Sequence, residues 1–427
     1  MRIILRRAVS LAAAGTLALQ LILLTARFAA AASLPETVIY SFGFGPNSSV
    51  CRLAVDGAIP KGSLTLANGL LFGRTTITTA STPGDGIIFH IDPAGTGYSI
   101  DHVFKGATDD GNSPRHSAMT LDGTVLYGTT TIGGKNDNGT IFSINDDGTG
   151  YSGPLINFQA SNVNNKGDQP HSCFALDSSS GLLFGMTSQG GTHGGVTGDG
   201  TIFSFDPQTS THSRVFSFNG ATRGSDPHGQ PILDPNGTTL YGMTREGGKH
   251  NVGTIFSFDT ASNKIKTLHN FNCPNNATPN CVSTNNGAST DHGNLVQSGS
   301  TLYGMTTSGG KFGAGIVFSI LTTGKQFKVL HNFGKTGTNE GQHPYGSLLL
   351  AGGTLYGTTR DGGSKGLGTV FQINPDGTGY ARIYNFSGTP DGANPIDNVI
   401  VVNNSLYGMT TVGGKCGFGA IFAIQLP

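Results

Sequence analysis

Short apolar runs of strand length alternate along this chain with breaks rich in Gly, Asn and Asp, and the whole arrangement recurs. The clearest run is Leu-aromatic-Gly, at Leu71-Phe72-Gly73, Leu126-Tyr127-Gly128, Leu183-Phe184-Gly185, Leu240-Tyr241-Gly242, Leu302-Tyr303-Gly304, Leu355-Tyr356-Gly357 and Leu406-Tyr407-Gly408, every 51 to 62 residues. A Gly-rich break follows each copy, and then a second run of the type Gly-Thr-Ile-Phe, centred on Phe89, Phe142, Phe203, Phe256, Phe318, Phe371 and Phe422. A third run ends in Phe, as in Leu268-His269-Asn270-Phe271 and Leu330-His331-Asn332-Phe333. A weaker apolar run, such as Gly346-Ser347-Leu348-Leu349-Leu350, precedes each Leu-aromatic-Gly. Each unit therefore predicts four strands, A to D in chain order, joined by turn chemistry that favours antiparallel hairpins. Seven four-stranded units at this period predict an all-β fold, a seven-bladed β-propeller. Blades pack on both faces, which accounts for apolar groups on both sides of strands B and C. The Gly after each strand-B aromatic predicts close approach of a neighbouring side chain.

The two ends favour a closed ring over an open solenoid. The last unit stops after Ile421-Phe422, short of a strand D. The segment Val38-Ile39-Tyr40-Ser41-Phe42 is a strand of that missing type, closely like Ile383-Tyr384-Asn385-Phe386. Pairing it with the last unit removes both sheet edges. The blades then span about 60–104, 114–158, 170–218, 227–271, 290–333, 344–386, and 395–424 completed by 36–42. Strand alternation puts the A–B and C–D loops on one rim and the B–C and D–A loops on the other. Cys51, in a D–A loop, and Cys416, in a B–C loop, fall on the same rim beside the same blade, so a Cys51–Cys416 disulfide is expected across the closure. Cys273 and Cys281 lie in the longest insertion, where a local bridge is expected. Cys173 is expected to be a buried free thiol on a strand A.

Composition narrows the rest. Gly is 67 of 427 residues, which disfavours long helices. Zero formal net charge gives none of the basic footprint of a nucleic-acid binder. Arg2, Arg6 and Arg7 precede an uncharged stretch from Ala8 to Ala26 and a small-residue run ending near Ser33. This reads as a secretory signal peptide, residues 1–32, the alternative being an uncleaved anchor. With no second apolar run, residues 33–427 are expected to be a secreted or extracytoplasmic protein with no membrane span, and a monomer.

Units of the form Leu-Tyr-Gly-Met-Thr-x-x-Gly-Gly-Lys…Gly-x-Ile-Phe…Leu-His-Asn-Phe, best at 302–333 and 240–271, resemble the GloVer tandem repeat family, also described as choice-of-anchor tandem repeat proteins. The resemblance covers nearly all the chain after the leader and implies an exported bacterial repeat protein. The first copy departs, with Thr75-Thr76-Ile77-Thr78 and no Gly-Gly. A looser likeness to kelch repeats rests on Gly-Gly alone, since the kelch Trp is missing.

The start of strand A should line the mouth of the channel. Lys61, Arg115, His171, His228, His292 and Tyr345 stand there in six units, and Ile396 in the seventh. Three His from adjacent blades can hold a metal or act as acid and base at a sugar, and a solvated mouth collects polar residues without either role. Lys135, Lys249, Lys311, Lys365 and Lys415, with Arg245 and Arg360, decorate the B–C loops, interspersed with Asp137, Glu246 and Asp361. No HExxH, EF-hand loop, CxxC or GxSxG occurs, and no cofactor or metal is expected. The expected function is a non-catalytic binding or scaffold propeller, its ligand a glycan or extracellular protein at this rim. The alternatives are a lyase-like polysaccharide-active enzyme using His171, His228, His292, Tyr345 and Arg115, and a structural surface-layer component.

Overall fold

The computed structural model describes residues 34–43, 51, 56–77, 85–106, 108–159, 167–193, 198–273 and 286–427. The expected signal peptide and Cys281 lie outside these residues. Seven antiparallel sheets of the predicted kind form a seven-bladed β-propeller. Blade 5 is representative, with strand A at Val296–Ser298, B at Thr301–Thr306, C at Ile316–Leu321 and D at Lys328–Asn332. No helix among the described residues is long and apolar enough to cross a membrane.

The repeated phrases map onto one packing device. In every blade the Gly of Leu-aromatic-Gly pairs across the ladder with the Phe of strand C, as Gly304 with Phe318. A Cβ on any of these seven glycines would lie only 2.3–2.5 Å from the Cζ of that Phe ring. The Phe ending strand D then meets the strand-C Phe of the next blade edge-on. The seven such pairs, from Phe104–Phe142 to Phe386–Phe422, have centroids 5.0–5.6 Å apart and interplanar angles of 64–67°. Edge-to-face geometry is what the ring quadrupole favours. Around these pairs the buried apolar side chains separate into seven clusters, one at each boundary between blades. Seven blades in an open row would have only six boundaries.

The seventh boundary is made by the N-terminal strand. Glu36–Ser41 pairs antiparallel with Ala420–Gln425, the strand C of blade 7, and so supplies its strand D. Phe42 follows and packs edge-on against Phe89 of blade 1. Cys51 and Cys416 form the expected disulfide, joining residues 365 apart in sequence. Cys273 is also disulfide-bonded. Cys173 is a free, fully buried thiol; it sits two residues before strand A of blade 3 (Ala175–Asp177) rather than on it.

On the rim carrying the closure, D–A and B–C loops pair with each other. Gly287–Ala288 with Ser308–Gly309 and Gly341–Gln342 with Asp361–Gly362 form short ribbons, and Ser225 bridges Glu246 and Ala393 bridges Val412 in the same way. Each loop thus leads the chain from a paired anchor on the rim to the start of strand A, where the channel opens.

Candidate functional site

Strand register identifies the equivalent channel-mouth residue in each blade. The first residue of strand A pairs with the strand-B aromatic: Thr65 with Phe72, Thr120 with Tyr127, Ala175 with Phe184, Ile232 with Tyr241, Val296 with Tyr303, Leu349 with Tyr356 and Ile400 with Tyr407. Counting back from these residues gives Lys61, His116, His171, His228, His292, Tyr345 and Ile396. In blade 2 the equivalent residue is therefore His116, one position beyond Arg115. The residues His116 and Ser117 adopt left-handed backbone conformations (φ 48° and 54°), so blade 2 spaces its Pro114 differently from its neighbours. Counting from Pro leads to Arg115; counting back from Tyr127 leads to His116.

All seven residues, with Arg115, line one cavity of about 570 Å³ at the channel mouth. Arg245, Asp291 and Arg360 join them, and the same three with Tyr345 also line a neighbouring cavity of about 590 Å³ on the rim. The lysines at 135, 249, 311, 365 and 415 are exposed on the B–C loops and line neither.

Four imidazoles from four successive blades converge here. The His116 and His292 rings lie parallel with centroids 3.5 Å apart, and those of His171 and His228 4.1 Å apart; His228 and His292 are separated by 5.1 Å. His116 and His228 are buried, with exposures of 4% and 7%. The Nε2 of His228 lies 2.7 Å from Asp226 Oδ1, and Arg245 reaches the other oxygen of that carboxylate at 2.9 Å. Burial holds His116, His171 and His292 well below the usual histidine range, reinforced by their mutual proximity and by the nearby guanidinium groups. These three are neutral at pH 7, each with one nitrogen lone pair to offer.

Arg74 is the residue that sequence reading passed over. It occupies the strand-B position filled by Met in blades 3, 4, 5 and 7, and it is 1% exposed. Its guanidinium donates to the carbonyls of His116 and Ser117, both at 2.8 Å, and of Thr129 at 3.2 Å. A buried cation needs such partners, and these pin the loop that presents His116. The outward signal was a charge in a run otherwise uncharged.

The cations at the mouth are unequally compensated. Arg245 pairs with Asp226 and Glu246. Arg360 donates to the Tyr345 hydroxyl at 3.1 Å and lies over that ring. Lys61 and Arg115 form no ion pair with a carboxylate among the described residues. Burial, and then the Arg115 charge, pull the Lys61 ammonium below its ordinary value; burial also lowers Arg115. Asp397, close by, is raised to about 6 by burial, against the attraction of Arg74, a hydrogen bond from the Ser117 backbone and the attraction of Lys61.

A family model, the Gloeobacter/Verrucomicrobia repeat, matches residues 48–194 and 280–427, more than half of the chain. The chain belongs to the Gloeobacter/Verrucomicrobia repeat family. Leu240-Tyr241-Gly242, in the stretch between the two matched segments, carries the same repeat phrase. No curated protein matches this member of the family by sequence. Among solved structures, this Gloeobacter/Verrucomicrobia repeat propeller is similar to the extracellular domain of a protein described as a hybrid two-component system from B. thetaiotaomicron. That likeness has 13% identity and a TM-score of 0.53, covering 91% of this chain and 39% of that one. It is also similar to a protein described as a 6-phosphogluconolactonase from Bacteroides uniformis, at 14% identity and a TM-score of 0.50, covering 76% and 83% of the two chains. At these identities the shared property is the fold.

Proposed function

We propose that this member of the Gloeobacter/Verrucomicrobia repeat family is an exported, non-catalytic propeller that binds an acidic glycan in the cavity at its channel mouth. The observation that carries this reading is the pair Lys61 and Arg115. Both are partly desolvated in that cavity without an ion-paired carboxylate, so an anionic ligand would supply the missing partner. Tyr345, backed by Arg360, adds an aromatic face beside them, suited to a sugar ring. Two disulfide-bonded sites fit an oxidising compartment, and the basic, then apolar, N-terminal segment fits export.

The test is a glycan array read with wild type and with Lys61→Ala/Arg115→Ala. Wild type should bind uronic-acid or sulfated glycans in a salt-sensitive way, with neutral glycans silent. The double variant should lose about tenfold or more in affinity. Equal binding by both proteins, or none by either, removes the glycan reading. Capture of an acidic extracellular protein in place of any glycan would move the ligand class to protein. Release of unsaturated oligosaccharides from an acidic polysaccharide would replace binding with the lyase chemistry considered for the same histidines.

A further inference from the structure

Two overlapping sets of donors meet at the channel mouth. His116, His171 and His292 form one set, and His228, Asp291 and His292 the other; within each, the ligand-type atoms all lie within 4.8 Å of one another. A second, independent feature accompanies this clustering. The Nδ1 atoms of all four histidines are buried and have no hydrogen-bond partner. Buried polar atoms are ordinarily paired, and each of these four clustered histidines leaves one ring nitrogen without a partner in the protein.

We propose that the cluster binds one divalent transition-metal ion, of the zinc, nickel or copper class, with His292 as the ligand common to both sets. Imidazole-rich donor sets with one carboxylate suit these ions over magnesium or calcium, which prefer all-oxygen shells. The second shell is in place as well. Asp226 accepts from Nε2 of His228, leaving Nδ1 of that ring as the lone-pair donor, the arrangement that orients metal-binding histidines. Arg74 fixes the backbone of His116 through its carbonyl. Asp226 and Asp291 offset the nearby guanidinium of Arg245. The rings of His116 and His292 lie parallel, so their in-plane lone pairs run in parallel planes. Coordination turns at least one of them about its side-chain torsions, and a change in histidine environment accompanies binding.

The inference stands apart from the glycan reading and departs from the expectation of no metal. Its test contains no glycan. The whole secreted chain is stripped with chelator, then titrated calorimetrically with Zn²⁺ and Ni²⁺, and with Co²⁺ followed by visible absorption. Wild type should take up one ion per chain with a Kd of about 10 μM or tighter, and Co²⁺ should give the visible bands of nitrogen coordination. His292→Ala should abolish uptake. Asp226→Asn, which alters a positioning residue, should weaken it about tenfold. His250→Ala, in a B–C loop and not among the residues lining either cavity, should bind as wild type does. Melting curves establish that each variant is folded; if His292→Ala is not, His171→Ala takes its place. No uptake by wild type, or wild-type affinity in folded His292→Ala or His171→Ala, overturns the proposal.

Discussion

At the scale of single residues, the repeat is held by steric fit. Each strand-B Gly leaves room for the Phe ring opposite, and at Gly304 the backbone itself is ordinary: φ is not in the left-handed region, so space alone excludes a side chain. Gly304→Ala should destabilise the protein by about 1–3 kcal/mol, the usual cost of overpacking, seen as a lower denaturation midpoint. The histidines at the mouth give a second, opposite kind of strain. His116, His171 and His292 are held neutral in the fold, well below the ordinary value of 6.5. Below about pH 6.5 the unfolded chain takes up protons that these folded residues refuse, so stability is lost as pH falls. Glu36, Asp101 and Asp397, raised by burial, act the other way over the same range, so the histidine contribution is read by difference: in calorimetry the chelated wild type should lose stability relative to His116→Gln/His292→Gln between pH 7.5 and pH 5.5.

At the scale of elements, the phrase Leu-His-Asn-Phe is a list of jobs for strand D. In Leu330-His331-Asn332-Phe333 the Phe wedges against Phe371 of the next blade. The Asn332 side chain accepts from the Lys311 backbone at 2.7 Å and so fixes the B–C loop. His331 stacks on Tyr380 of the next blade, centroids 3.7 Å apart, and pairs with Glu340 at 3.1 Å. The N-terminal strand reproduces the wedge with Phe42 and the stack with Tyr40 on Tyr98, whose centroids are 4.0 Å apart. It also carries Glu36, raised to about 7 by burial and by the Asp391 charge, against a hydrogen bond from Tyr384. Between pH 4.5 and 7 the folded chain holds a proton there that the unfolded chain has released, so this group costs stability as pH rises. Glu36→Gln should melt as wild type does at pH 4.5 and higher than wild type at pH 8, by about 1 kcal/mol after allowance for its solvent access.

At the scale of the whole molecule, closure is the property on which the rest depends. Removing residues 33–43 takes away strand D of blade 7 and Phe42 together, and should lower the melting temperature strongly; an unchanged value would contradict ring closure. Phe42→Ala alone should cost about 3–5 kcal/mol, as for other buried aromatics. Cys51→Ser/Cys416→Ser frees the two ends of a loop 365 residues long and should cost about 3–5 kcal/mol under oxidising conditions, with no change under reductant. Closure also makes the channel mouth, because only a ring brings blades 2 and 5 face to face across an axis. His116 and His292 come from those two blades and stack at 3.5 Å.

The strands, the sevenfold count, the N-terminal strand completing the last blade and the Cys51–Cys416 staple were all legible in sequence, because each follows from a local phrase repeated at a regular period. Lys61, His171, His228, His292 and Tyr345 were legible as equivalent positions for the same reason. Tertiary structure alone decided what those positions do to one another. It put His116 in the ring, since local backbone conformation set the register of blade 2 and the Pro spacing did not report it. It placed Arg74 beneath His116, a contact between blades that no single unit encodes. It left the B–C loop lysines outside the cavity, because a side chain's direction on a rim depends on how the ribbon beneath it twists. Periodicity is a property of the chain, whereas convergence on an axis exists only once the ring has shut.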